Sequence, residues 1–146
     1  MRHYSLRGDA SDERFMAACE AVFGARPPLR ANSAHRDILW LGPDEWLVLS
    51  QAVLDPTRFQ GLHAALVDVT SSRVEIEVAG ADAEDVLSKA ATLDFGLLAF
   101  PVGACAQTNV ARTQGIIRRT APDRFVIYVR TSFARDLQAW LGDARA

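Results

Sequence analysis

Cysteine, histidine and charge of one sign are all scarce in this 146-residue chain, and each scarcity excludes a class of function. Cys19 and Cys105 are the only cysteines, too few for a thiolate metal motif and unnecessary as a staple at this length. Reduced thiols in a cytoplasmic protein are therefore expected. His3, His35 and His63 have no ligand spacing among them. Sixteen basic residues stand against 18 acidic ones, a formal net charge of −2, so no basic field exists to hold a phosphate backbone, and nucleic acid is not an expected partner. No apolar run reaches the ~18 residues of a membrane span, and Met1–Leu6 offers no signal-peptide core, so no membrane is expected either. Phosphate-binding glycine loops, His-Glu-x-x-His, Cys-x-x-Cys and Gly-x-Ser-x-Gly are missing too. A triad of Ser71, His63 and Asp68 can be drawn, but no spacing favours it. Catalytic, cofactor-binding and metal-ligating residues are all expected to be none.

What is present is an apolar fraction of 49%, enough for a real core, in regular patterns. Four helices are predicted. Asp9 or Ser11 caps a stripe of Phe15, Met16, Cys19, Val22 and Phe23, which makes Cys19 a core thiol. Asp55-Pro56 opens a helix carrying Phe59, Leu62, His63 and Leu66. Asp82 caps Val86, Leu87 and Ala90. Thr131 or Ser132 starts a last helix with Phe133, Leu137, Trp140 and Leu141, closed by Gly142. Strands are predicted at 3–7, 38–41, 46–50, 66–70, 74–78, 105–111, 115–120 and 125–130. Val74-Glu75-Ile76-Glu77-Val78 alternates strictly and has one dry face. Ile38–Leu41, Trp46–Leu49 and Phe125–Val129 are apolar on both faces, so helices cover one side and a second sheet or a partner subunit the other.

The order β-α-β-β-α-β followed by β-α-β-β-β-α suggests one unit written twice. LGPDEWLVLS (41–50) is similar to TAPDRFVIYV (120–129), each with a Pro-Asp turn before an aromatic-led strand. RGDASDERFMAA (7–18) is similar to AGADAEDVLSKA (79–90). The expectation is a single domain, 1–146, built from two pseudo-repeats, about 1–70 and 71–146. Its class is α+β, with duplicated ferredoxin-like β-α-β-β-α units and mainly antiparallel sheets. Charge is uneven along the chain: residues 66–95 carry an excess of five negative charges and residues 112–135 an excess of five positive ones. These stretches are either faces that complement one another within the fold or two docking surfaces. Thr70, Ser71 and Ser72 are read as satisfying backbone groups on a link, with Arg73 in an internal ion pair. The segment 92–103 is either a core element or a docking patch.

Several motifs together resemble the gamma subunit of heterotetrameric sarcosine oxidase: LGPDEWL (41–47), VDVTSSR (67–73), the helix entry at 80–87, LDFGLLAFPVG (93–103), Thr108 and RTSFARDLQAWL (130–141). More distantly, Asp68-Val69-Thr70 and Gly80-Ala81-Asp82-Ala83 resemble the folate-binding region of the glycine-cleavage T-protein and other aminomethyltransferases. Gly115-Ile116-Ile117-Arg118-Arg119 stands where those enzymes have paired acids, and guanidinium groups cannot supply a carboxylate. The resemblance implies a non-catalytic subunit of an alpha-beta-gamma-delta complex that oxidatively demethylates sarcosine to glycine, forming hydrogen peroxide and formaldehyde or methylene-tetrahydrofolate. FAD, FMN, NAD, zinc and tetrahydrofolate would then belong to the partner subunits. Trp40, Trp46, Phe100, Arg118, Arg119 and Arg130 are the candidate interface residues, and a flat apolar face would also allow a homodimer of the isolated chain. The alternative is a free-standing folate or small-amine binding module.

Overall fold

The computed structural model describes residues 1–145, which divide into two compact units, Met1–Thr70 and Ser71 onward. In the first, strands β1 (Arg2–Arg7), β2 (Ala34–His35), β3 (Ile38–Gly42), β4 (Glu45–Ser50) and β5 (Ala65–Asp68) form one antiparallel sheet in the order β2-β3-β4-β1-β5. Register places Tyr4 opposite Val48 and Leu6 opposite Trp46, and Ile38 and Trp40 opposite the same two β4 residues, so one face collects all six side chains. Helix α1 (Glu13–Phe23) lays Phe15, Met16 and Cys19 on that face. Trp46 buries its ring 5.8 Å from Phe15 and donates its indole N–H to the Pro28 carbonyl at 2.8 Å. Leu39, Leu47 and Leu49 on the reverse face are buried as well, as a doubly apolar strand pair requires.

The cap of α1 is Asp12, whose carboxylate accepts the Arg14 N–H at 2.9 Å; Asp9 instead holds its own turn through the Ser11 N–H. Gly24, at φ 74°, closes the helix by donating to the Glu20 carbonyl. The helix expected after Asp55-Pro56 shrinks to a single 3-10 turn, Pro56–Phe59. Asp55 does cap it, but Gly61 at φ 80° leaves the helical region and redirects the chain toward β5. Phe59 still reaches the core, 5.9 Å from Phe15, and Leu66 reaches the same cluster from a strand rather than from a helix. The unit therefore runs β-α-β-β-β, with one strand more and one helix fewer than expected.

The second unit contains β6 (Arg73–Ala79), α2 (Ala83–Ala90), β7 (Cys105–Val110), β8 (Thr113–Ala121), β9 (Arg124–Arg130) and α3 (Ala134–Arg145). Its antiparallel sheet has the order β6-β9-β8-β7. Ile76 and Val78 point inward while Glu75 and Glu77 point to solvent, as the alternation requires. Val86, Leu87, Leu137 and Leu141 pack onto the inward face with Ile117, Phe125, Ile127 and Val129. Asp82 begins α2 without capping it; its carboxylate takes the Arg145 guanidinium at 3.1 Å. That tie, with the burial of Leu137 and Leu141, carries α3 past Gly142, the expected stop.

The units share three local features. Each sheet sets the first strand beside the fourth, then the third, then the second, and β5 is an addition to the first unit. Each central hairpin shifts register immediately before its Pro-Asp turn, between Trp40 and Gly42 and between Arg119 and Ala121. In each, the glycine after the first strand donates its N–H to that turn's aspartate carbonyl: Gly8 to Asp44 at 3.1 Å, Gly80 to Asp123 at 2.9 Å. At Gly8 the approach is close enough that a Cβ would lie 2.2 Å from the Phe15 ring. Gly8→Ala is expected to cost about 1–3 kcal/mol by overpacking. Gly142→Ala, whose Cβ meets open space within a helix, should gain about 0.5–1 kcal/mol. Urea unfolding of the two variants against the parent checks both signs.

Candidate subunit interface

The arginine pair on β8 divides because a strand points neighbouring side chains to opposite faces. Arg118 faces outward and is half-buried; Arg119 enters the core and has no exposed surface. All five N–H groups of the Arg119 guanidinium are taken. Nη1 donates to the Phe95 and Phe100 carbonyls at 2.7 and 2.9 Å. Nη2 donates to the Pro122 carbonyl and to Glu84 Oε1, both at 2.5 Å, and Nε reaches the Ala121 carbonyl at 3.4 Å. Its plane also lies over Phe125, 4.7 Å from the ring centroid. The segment 95–100, the hairpin turn and the first turn of α2 thus converge on one cation.

The segment after α2 serves as core and as surface at once. Phe95 and Phe100 turn inward and stack against each other and Phe125, with centroids 5.6 to 6.2 Å apart. Leu97, Leu98 and Val102 turn outward. Of the six candidate interface residues, Trp46, Phe100 and Arg119 are therefore taken up inside their own units, and residues without exposed area offer none to a partner. Trp40 is half-buried opposite Trp46, Arg118 half-buried, and Arg130 exposed opposite Arg73. The two oppositely charged stretches meet within the second unit, in Arg119–Glu84 and in Arg124–Glu77 at 3.2 Å.

The Asp68-Val69-Thr70 motif works on the backbone. Asp68 Oδ1 accepts from the Thr70 N–H at 2.9 Å and its hydroxyl at 2.5 Å, while Thr70 Oγ1 accepts the His3 N–H at 3.0 Å. The Val69 N–H closes the clasp on the His3 carbonyl at 2.8 Å. The Thr70 hydroxyl, then its N–H, hold the Asp68 carboxyl below the usual range, with Arg2 3.3 Å away adding to this. Burial pushes the Cys19 thiol up to about 12, which makes it unreactive. His63 lines an open cleft of about 700 Å³ with Arg7, Asp9 and Asp44. Among the described residues no three His, Cys, Asp or Glu side chains converge as a metal site.

The model of the sarcosine oxidase gamma subunit family matches residues 7–146. The chain belongs to that family. It is 29% identical over 140 residues to the sarcosine oxidase subunit gamma of Corynebacterium sp. strain U-96, covering 88% of this chain and 67% of that protein. It is 32% identical over 114 residues to the subunit gamma of strain P-1, covering 73% of this chain and 55% of that one. The chain thus spans between about half and two thirds of these relatives. A chain of the heterotetrameric sarcosine oxidase from Corynebacterium sp. U-96, solved with pyrrole 2-carboxylate, superposes with a TM-score of 0.90. That match covers 98% of this chain and 78% of the other, at 27% identity. In this family member the fold is α+β with mainly antiparallel sheets.

Two expectations follow for this gamma-family chain. Arg119→Ala leaves four carbonyls and Glu84 without their cation and should cost roughly 3–5 kcal/mol in urea unfolding, with little recovery by Arg119→Lys, whose ammonium lacks the planar fork. The second concerns acid. Asp9, Asp12, Glu13, Asp55 and Asp68 all have carboxyls lowered in the fold, chiefly by side-chain bonds from Ser11, Arg14, Arg26 and Thr70 and, at Asp55, by the Thr57 N–H. Their contribution is complete above the ordinary values of 3.8 and 4.5 and is lost as pH falls through the lowered ones. The urea midpoint should stay level from pH 7 to 5 and fall below about 4, with a shallower fall in Asp68→Asn.

Proposed function

We propose that this chain is the gamma subunit of a heterotetrameric sarcosine oxidase, contributing structure and assembly contacts rather than catalytic groups. The superposition of 98% of the chain on a chain of such an enzyme carries the reading. Its partners are the alpha, beta and delta subunits. The complex oxidatively demethylates sarcosine to glycine, releasing hydrogen peroxide and formaldehyde or methylene-tetrahydrofolate, with FAD, FMN, NAD, zinc and tetrahydrofolate held by those partners. A cytoplasmic setting goes with this, and among the described residues no helix is long and apolar enough to cross a membrane. Of the six candidate interface residues, Trp40, Arg118 and Arg130 keep area for a partner.

The halves are, in this reading, two copies of one β-α-β-β-β unit on an aminomethyltransferase-like scaffold. The shared strand order, the hairpin register shifts and the paired glycine-to-aspartate bonds support the duplication. The transfer chemistry of that scaffold is absent because Arg119, in the place of an acid, is wholly occupied by carbonyls and Glu84.

Co-expression with the three partner subunits tests the assignment. The chain is expected to elute with them in one complex on size exclusion, and separate elution would end the subunit reading. Titration of the isolated chain with reduced folates at millimolar concentration should give no heat; saturable heat would favour the binding-module alternative.

A further inference from the structure

The segment between α2 and β7 holds a feature that the Arg119 cluster explains only in part. No Asp, Glu, Lys or Arg lies between Asp94 and Arg112, in a chain where 23% of residues are charged. Inside that neutral span Leu98 is 102% exposed, Leu97 51% and Val102 50%. Interface centres are depleted of charge in this way, and large apolar side chains left in water mark contact sites when they cluster.

The tip is also held in shape. Nη1 of the buried Arg119 grips the Phe95 and Phe100 carbonyls on either side of it. The Phe100 N–H donates to the Gly96 carbonyl at 2.8 Å, and Asp94 Oδ1 accepts the Gly96 N–H at 2.9 Å. The Gly103 N–H donates to the Arg119 carbonyl at 2.9 Å, which pins the far end. A loop fixed at both stems with two leucines at its apex loses little conformational freedom on docking.

We propose that the Leu97–Leu98 tip, with Val102 beside it in the chain, is the anchor by which this chain docks into an apolar socket on another subunit of the sarcosine oxidase complex. The proposal rests on the gamma-subunit reading and names the surface that serves it. A different chain is the occupant because a two-fold contact between copies sets like surface against like. Two convex tips meeting apex to apex bury little, whereas a concave surface on a partner encloses each leucine.

The test uses the co-expressed complex, with a tag on a partner subunit and the gamma chain captured at graded concentrations. Leu98→Asp and the double variant Leu97→Ser with Leu98→Ser are compared with Val53→Asp, which alters another exposed apolar residue. Leu98 touches no core, so the variants should unfold at the parent temperature, and a loss of capture then reports docking. Leu98→Asp is expected to weaken capture by about 30-fold, the size of a central anchor, while Val53→Asp leaves it unchanged. Capture of Leu98→Asp at parental strength overturns the anchor and leaves the subunit reading intact. Parent chain that is not captured at all overturns the subunit reading, and the anchor falls with it. A self-dimer of the isolated parent that Leu98→Asp dissolves, with capture unaffected, assigns the tip to a second copy and overturns the proposal.

Discussion

Taking a guanidinium out of water costs several kcal/mol even after relaxation, and the second unit offsets that cost at Arg119 with four carbonyls, the Glu84 carboxylate and the face of Phe125. Those acceptors come from three separate stretches of chain. The cation therefore fixes, at one point, where the segment after α2 crosses, how the Pro-Asp turn is set, and where α2 begins. No pair of apolar side chains does this, because dispersion contacts tolerate sliding while a planar fork with five directed donors does not.

The first unit meets the same local problem differently. Trp40 stands opposite Trp46 just before its register shift, as Arg119 stands opposite Phe125 before the other. The first hairpin has no ten-residue crossing to restrain, and two indoles packed beside Phe15 suffice. A buried charge is needed where bare carbonyls must be gathered, and an aromatic ring where they need not.

Much of this was legible in advance. The stripes Phe15-Met16-Cys19 and Val86-Leu87-Ala90 found their helices, the alternation in β6 found its faces, and the motifs from 41 to 141 pointed to the family that the comparisons establish. The helix after Asp55 failed because apolar spacing at i, i+3, i+7 cannot tell a helix from a turn followed by a strand once Gly61 adopts a positive φ. Gly142 failed as a stop for the opposite reason: packing of Leu137 and Leu141 outweighs a propensity difference of about 1 kcal/mol. Arg119 was missed although its signal was present. Gly115, Ile117 and position 119 share the face that Phe125, Ile127 and Val129 make dry, so period two required one of the adjacent arginines to point inward.

The same accounting explains why so polar a chain offers no reactive centre at the motifs that looked most chemical. A nucleophile or general base needs a lone pair or proton left available at rest. The Asp68 carboxylate accepts two bonds from Thr70 and faces Arg2. The Cys19 thiol is held protonated by burial. Both exposed partners of the Arg124–Glu77 pair are screened by water, where such a pair contributes at most about 1 kcal/mol. What remains unsatisfied is apolar rather than polar. The unpaired free energy of this chain therefore lies in leucine surface, and relief for that surface comes from another protein rather than from a substrate.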